Sequence, residues 1–515
     1  MEAIHKSQSR APGCIAARTA LISVVLALAA GLGLRLWMLR FYEVNGDSLI
    51  YGDLAKNLLL HGRFALTVGS GQIDSTLIRL PGYPLFLALC FRLFGMENYA
   101  SATYVQIALE LTGCLMLADF ARRIAPPRLK IGSAHCTLWL AALCPFTAIY
   151  AAQPLTEAPS LFMLAMALWS LERFRERPAW PAALSFTFAV TYAALLRPDG
   201  ALAAVALAPA MLIGLKRNED GIDPAHKYCG LGAPSIPRSL RNGWGTSTLF
   251  SGRIIDRRLF RMAVACLLLA LAPFTLWTAR NWAVFHVFQP LAPRLANDPG
   301  DDPHNGWENW VKTWCLDFVS TYDIYWNVPG NPLDLSKLPS RAFDSPAQFA
   351  ETAALAADYN NRGMDLSPAL DARFARLAQQ RIHAHPLRYH LWLPLGRVAD
   401  MWLRPRVENL PIDLDWWVYA HHHVETRFSW AYAALNAFYL LLAAAGLCLR
   451  PRFWRPMLAY MLLRSALLMT IEAPEARYTL ECFPMLFVLG GVALYRGTTW
   501  VFLSVLKLKT PAASG

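Results

Sequence analysis

Long apolar runs alternate with short polar breaks along most of this chain. Ten such runs lie near residues 19–40, 101–121, 131–152, 156–172, 180–196, 200–215, 262–283, 429–449, 456–472 and 479–496. A helix of about 20 apolar residues spans the hydrocarbon core of a bilayer, so the pattern predicts about ten transmembrane helices. The apolar piece from Gly82 to Gly95 is too short to cross and suits a helix lying in the interface. The stretch 499–508 is also too short for a span and is expected on the inner surface.

The breaks leave three regions on the outer side: 41–100, a turn at Gln153 to Glu157, and 284–428. The last is too long for a bare loop and must carry its own structure. Within it, Ser367-Pro368 reads as a helix cap followed by proline at the first helical position. Leu370, Phe374, Leu377 and Ile382 then mark one helical face, and His385-Pro386 closes it. Segments 298–306 and 329–339 read as irregular linkers, and the Gly-, Ser-, Pro- and Arg-rich stretch 216–260 as a poorly ordered cytoplasmic loop. The expected layout is a transmembrane module over 1–283, a mainly helical external region over 284–428, and further transmembrane helices with a cytoplasmic tail over 429–515.

Composition agrees with this reading, since only 16% of the 515 residues are charged, against about 25% in soluble proteins. The net charge of +12 does not point to nucleic acid. The basic residues form short clusters beside the apolar runs: Arg122, Arg123, Arg128 and Lys130; Arg173, Arg175 and Arg177; Lys216 through Arg261; and Arg450, Arg452 and Arg455. Such clusters mark cytoplasmic loops; the charge orients the chain rather than recruiting a polymer. Alternating sides from a cytoplasmic N-terminus puts all four clusters on one face. The ten cysteines contain no CxxC pair and predict no disulfide framework.

The chemistry-bearing residues fall at the outer ends of the runs. Ionisable groups there are costly unless paired or functional, and Asp47, Arg79, Glu157, Arg197, Asp199, Glu472, Glu475 and Arg477 all lie on the same predicted side. Two carboxylates, Asp47 and Glu157, and three guanidiniums, Arg79, Arg197 and Arg477, stand on separate segments that can converge on one cavity. Plainer roles stay open: Asp47 and Glu157 suit helix caps, Arg197 and Asp199 an ordinary turn with an ion pair, and Asp53 a solvent-facing position. Arg464 lies inside a run and has no evident role. His421, His422 and His423 point in different directions, which is poor geometry for one ion. They are read as a solvated loop, with no metal site assigned. Trp402, Trp416, Trp417 and Tyr419 suit anchoring at the membrane interface.

The ordered set Gly46-Asp47, Tyr51, Arg79-Leu80-Pro81-Gly82-Tyr83-Pro84, Leu155-Thr156-Glu157, Leu196-Arg197-Pro198-Asp199, Arg280-Asn281-Trp282 and Glu475-Ala476-Arg477-Tyr478 resembles the bacterial GT-C membrane glycosyltransferases. It is most similar to their protein-mannosyltransferase and aminoarabinose-transferase-like branch. The resemblance implies an all-α polytopic bundle in the cytoplasmic (inner) membrane, with its active site facing the periplasm or exterior. It implies inverting transfer of a sugar from a polyprenyl-phosphate donor to a glycolipid, polysaccharide or protein. Asp47, assisted by Glu157, would be the catalytic acid group; Arg477, Arg79 and Arg197 would hold the donor phosphate; Tyr51, Tyr83 and Tyr478 would position substrate. Many relatives carry an acidic pair in the first loop, whereas Ser48 follows Asp47 here. No cofactor is therefore assigned, although the resemblance allows a divalent cation. The competing readings are a lipid-carrier flippase or transporter, which calls for charges near mid-span, and a non-catalytic member of the same fold.

Overall fold

The computed structural model describes residues 11–69, 71–219 and 257–509. Most of the 216–260 loop therefore lies outside the described residues. Every predicted span falls on a helix. Five helices are long and apolar enough to cross a membrane, at Arg18–Phe41, Tyr99–Ile124, Arg257–Phe285, His423–Cys448 and Ala476–Trp500. A sixth crossing is formed if Pro127–Ala142 and Pro145–Ala151, bent by 55°, count as one. The remaining four, Glu157–Glu176, Trp180–Leu196, Ala201–Glu219 and Trp454–Leu468, are shorter or carry more charge.

Protein packing accounts for this spread. The two most apolar spans, Arg18–Phe41 and Arg257–Phe285, are also the least covered by protein, as a lipid-facing surface requires. Glu157–Glu176, by contrast, is buried along most of its length, including Ser160, Ser170 and Glu172. A helix sheathed by its neighbours has no need of an apolar exterior. The last span does not end at residue 496: Phe483–Lys509 is one continuous helix, so the stretch 499–508 extends it rather than forming a separate surface element.

The bundle has two chemically distinct ends. At one, Arg123 pairs with Glu176, Arg452 Nη1 lies 3.1 Å from Glu172 Oε1, and Arg175 stacks 4.4 Å over Phe453. Three of the four basic clusters thus meet there. Glu157 begins the same helix that Glu176 ends, and 20 residues at 1.5 Å each separate the two ends by about 30 Å. Between them lies an apolar core centred on Phe146, Tyr439, Phe483 and Phe487. One buried pair crosses it: Arg35 donates to Glu110 and to the carbonyls of Gly31 (2.9 Å) and Ala142 (2.7 Å).

The region after Phe285 has a second core, built on Trp307, Trp310, Trp314, Phe374 and Leu377. Its helix Pro368–Ala384 follows Ser367, is closed by His385, and buries Leu370, Phe374 and Leu377. Ala378 and Arg381 complete the buried face, while Ile382 is only half-buried. This region rests on the chain just before Arg477: Thr321 Oγ1 donates to Pro474 O at 3.1 Å, and Lys312 Nζ to Thr470 O at 2.5 Å.

The one departure from an all-helical chain among the described residues is an antiparallel hairpin, Ala65–Val68 with Gln72–Ser75. Asp53 holds it, accepting from Thr67 N at 2.6 Å and Thr67 Oγ1 at 2.9 Å. Asp53 is thus a half-buried anchor rather than a solvent-facing acid. Arg280 clamps the hairpin's other side through the carbonyls of Phe64 (2.7 Å) and Thr76 (2.8 Å).

Candidate active site

The first-loop helix, Asp47–His61, starts from Gly46 at φ +46°, a backbone conformation that favours glycine. Asp47 therefore occupies the first helical position rather than the cap. Its carboxylate does not turn back onto the helix: Oδ1 accepts from Arg79 Nη2 at 2.8 Å, and Oδ2 from Arg477 Nη2 at 3.3 Å. The capping alternative for Asp47 is thereby set aside.

Arg79 reaches this point because of the residues after it. The helix Gly82–Phe94 abuts the end of Trp180–Leu196 so closely that a Cβ on Gly82 would lie 2.5 Å from the Leu195 carbonyl. Tyr192 Oη donates to Gly82 O at 2.9 Å across the same junction. This contact draws Arg79, three residues before Gly82, and Arg197, directly after Leu196, toward the same end of the bundle. Gly200 keeps the following turn tight, since its Cβ would meet Ala193 O at 2.1 Å.

Glu157 opens its helix with no side-chain cap to the backbone, so its capping alternative also falls away. Its Oε1 accepts from Arg197 Nη1 at 3.0 Å and lies 3.7 Å from Arg477 Nη1. Arg477 thus bridges Asp47 and Glu157, and its Nε is 2.5 Å from Glu475 Oε2. Arg197 Nε lies 3.4 Å from both Asp199 and Glu481. Arg464 completes the chain, with Nη2 2.8 Å from Asp199 Oδ2 and 2.7 Å from Glu481 Oε2, and Nε donating to Tyr478 O at 2.7 Å. That gives a role to Arg464, for which the sequence offered none, and it adds Glu481, which stood unnoticed inside an apolar run.

The network is graded from open to buried. The side chains of Asp47, Arg79 and Arg477 are 28%, 23% and 19% exposed, whereas Glu157, Glu481 and Arg464 are at most 3% exposed. Behind them, Ser160, Tyr460, Arg197, Asp199, Arg464 and Glu481 line a cavity of about 10 Å³, room for about one water. Ser160 Oγ, Tyr460 Oη and Arg464 Nη1 are buried without a hydrogen-bond partner, so a water there would serve all three. Asp47, 28% exposed, is the most open carboxylate of the network. Burial disfavours its charged form, but Arg477 and Arg79 outweigh that effect and hold its carboxyl below the usual range.

The three tyrosines separate by environment. Tyr478 lies beneath two guanidiniums, Arg197 at 5.5 Å and Arg477 at 5.6 Å from its ring, and its hydroxyl donates to Glu475. Tyr51 packs edge-on against Tyr83 at 5.0 Å; burial, with Asp47 adding to it, pushes the Tyr51 phenol up to about 12, so it stays a donor. Tyr83 is fully buried and its hydroxyl donates to Gln106 Oε1 at 2.5 Å. The structure thus places Tyr83, expected to position substrate, in the packed interior against Tyr51. Gln106 in turn donates to Gln153 O at 2.7 Å, and Glu43 N donates to Gln153 Oε1 at 3.0 Å, which fixes the first loop to the Glu157 turn. Gln106 was not singled out in the sequence, because an uncharged amide in an apolar run carries no distinctive signal, and Gln153 was named there as part of a turn and without a role.

Fold and site together define a polytopic membrane protein with a charged cluster at one end of its bundle, and the comparisons with known proteins bear out the resemblance drawn from its motifs. Residues 79–232 match the family described as dolichyl-phosphate-mannose-protein mannosyltransferase. That is under a third of the chain; it contains Arg79, Tyr83, Glu157 and Arg197 and excludes Asp47 and Arg477. Among solved structures, ArnT from Cupriavidus metallidurans bound to undecaprenyl phosphate is similar at 14% identity, covering 95% of this chain and 81% of that one, with a TM-score of 0.35. A likeness that loose carries no argument about the site. No curated protein matches the chain.

Proposed function

We propose that this chain is an inverting glycosyltransferase that moves a sugar from a polyprenyl-phosphate carrier to a hydroxyl acceptor at the outer face of the cytoplasmic membrane. The observation that carries this reading is the bridge Arg79–Asp47–Arg477 at the exposed edge of a buried ionic network. A carboxylate held between two guanidiniums supplies both groups that the reaction needs. The similarity of residues 79–232 to mannosyltransferases named for a dolichyl-phosphate donor supports the choice of chemistry.

In this mechanism the acceptor hydroxyl attacks the anomeric carbon as its proton passes to Asp47. The bond from that carbon to the carrier phosphate oxygen breaks on the opposite side, and the phosphate leaves with the electron pair. Arg477 and Arg79 receive the developing charge through bidentate contacts, and Arg197 backs them from below. A positioned general base of this kind contributes roughly 10²–10⁴-fold. Glu157 keeps Arg197 and Arg477 in place and does not touch the reacting atoms. Because Asp47 and Glu157 both face guanidiniums, the mouth of the site suits an anion better than a divalent cation.

The external region would cover the acceptor side, and the carrier's tail would enter from the bilayer. Comparing envelope lipids and glycans by mass spectrometry in cells with and without this chain tests the reading. Loss of one sugar decoration, with build-up of its carrier-linked precursor, is the expected result. Loss of the decoration with the precursor trapped on the inner leaflet would overturn it in favour of transport.

A further inference from the structure

We propose that Asp413, His422 and Glu425 form a divalent-cation site of the zinc type, separate from the ionic network and clasping the external strap 404–422 to the outer end of the helix His423–Cys448. His422 Nδ1 lies 3.5 Å from Asp413 Oδ2 and 3.5 Å from Glu425 Oε2. Those distances are too long for good N–H···O hydrogen bonds, which cluster at about 2.7–3.2 Å. They match ligand spacing instead: bonds of 2.0–2.1 Å in a tetrahedron put neighbouring ligand atoms about 3.3–3.4 Å apart. One ligand atom from each of the three residues falls within 4.8 Å of the other two.

The far side of the imidazole supports the same reading. Asp415 Oδ1 lies 3.0 Å from His422 Nε2. A carboxylate there keeps the proton on Nε2 and leaves the Nδ1 lone pair facing Asp413 and Glu425, the arrangement that orients metal-bound histidines. Glu425 is itself held, accepting from Asp413 N at 3.1 Å. Three carboxylates around one imidazole repel one another, and a dication removes that repulsion. Asp413 is mostly exposed, which leaves the fourth ligand position to water.

Consecutive histidines do diverge: His423 turns to Tyr419, with ring centroids 4.4 Å apart. Only His422 faces the acids, and its partners come from nine residues upstream and three downstream. The strap matters to the ionic network because it carries Arg406, whose Nη1 donates to Ala476 O at 2.7 Å and Nη2 to Thr479 Oγ1 at 2.5 Å. These two contacts flank Arg477 and Tyr478, so a cation at His422 would stiffen the strap that braces them.

The test uses the tag-free full-length chain in detergent, stripped with chelator and titrated with zinc chloride. The expected result is one zinc retained per chain, a rise in Tm on zinc addition, and loss of both in His422→Gln. His421→Gln should retain both, and Asp415→Asn should bind about 10–100-fold more weakly. Cobalt(II) in place of zinc should give the intense visible bands of a four-coordinate site in the wild type and His421→Gln but not in His422→Gln. Failure of the wild type to retain zinc, or equal retention by His422→Gln, overturns the proposal. Neither result depends on glycosyl transfer, so the cation site and the enzymatic reading stand or fall separately.

Discussion

Asp47 and Arg477 are 430 positions apart in the chain and meet at 3.3 Å. Arg79 holds the other oxygen of the same carboxylate at 2.8 Å, so the first loop and the start of the last span are joined through one side chain. An arriving phosphate would compete with Asp47 for both arginines. Releasing the carboxylate from them raises its basicity when the acceptor hydroxyl must lose its proton.

Asp47→Asn keeps the shape and removes the base. Transfer should fall by roughly 10²–10⁴-fold, with expression and Tm near those of the wild type, in a donor-consumption assay on purified protein. Asp53→Asn should behave the other way, loosening the hairpin that Thr67 anchors and lowering Tm more than the turnover of the folded fraction.

The free enzyme's pH profile should carry the mark of the two arginines. The folded-state pKa of Asp47 is depressed, so its ionisation favours the fold above the ordinary carboxylate value of about 3.9, and that contribution is lost as pH falls through the lower folded value. The acid limb of kcat/KM should therefore lie below about 3.9. In Arg79→Gln one stabilising charge is gone, and the limb should move to higher pH. A limb unmoved by that substitution would detach Asp47 from the profile.

Arg464 is the structural keystone of the buried side. Arg464→Met leaves Asp199 and Glu481 with the longer, 3.4 Å contacts to Arg197 and without the closer ones to Arg464. Breaking a buried pair in this way costs about 3–5 kcal/mol, so Tm should fall sharply or folded protein be lost. Arg464→Met with Glu481→Gln should recover part of the loss, which a double-mutant thermal series would show.

Gly82→Ala tests the junction that sets the arginines. The added methyl meets the Leu195 carbonyl carbon and oxygen at 2.5 Å. Backbone has little room to yield, and overpacking of this kind costs about 1–3 kcal/mol. Transfer should drop with stability, because Arg79 and Arg197 move apart with the two helices.

The helices and the convergence of their charged ends were legible because both follow from strong signals: runs of lipid-compatible length and charges where charge is costly. The roles of Asp47 and Glu157 as bridge and anchor rather than caps were not legible, since a carboxylate at a helix start reads alike in both cases. Glu481 escaped notice because it sits inside an apolar run, where only its pairing with Arg464 and Arg197 gives it meaning. The hairpin was hidden because its strands, Ala65–Val68 and Gln72–Ser75, are four residues each, too short for an alternation to register. The burial of Tyr83 against Gln106 was not legible either, since an aromatic beside Pro and Gly reads alike whether it is packed or open.

The central claim is that Asp47 performs proton transfer for sugar release from a polyprenyl-phosphate carrier. The most direct test is release of polyprenyl phosphate from its sugar-linked form by purified wild type and Asp47→Asn, each with acceptor-bearing membranes. The account predicts rapid release by the wild type, and release slowed by roughly 10²–10⁴-fold in Asp47→Asn with donor binding retained. Equal rates from the two proteins would contradict it.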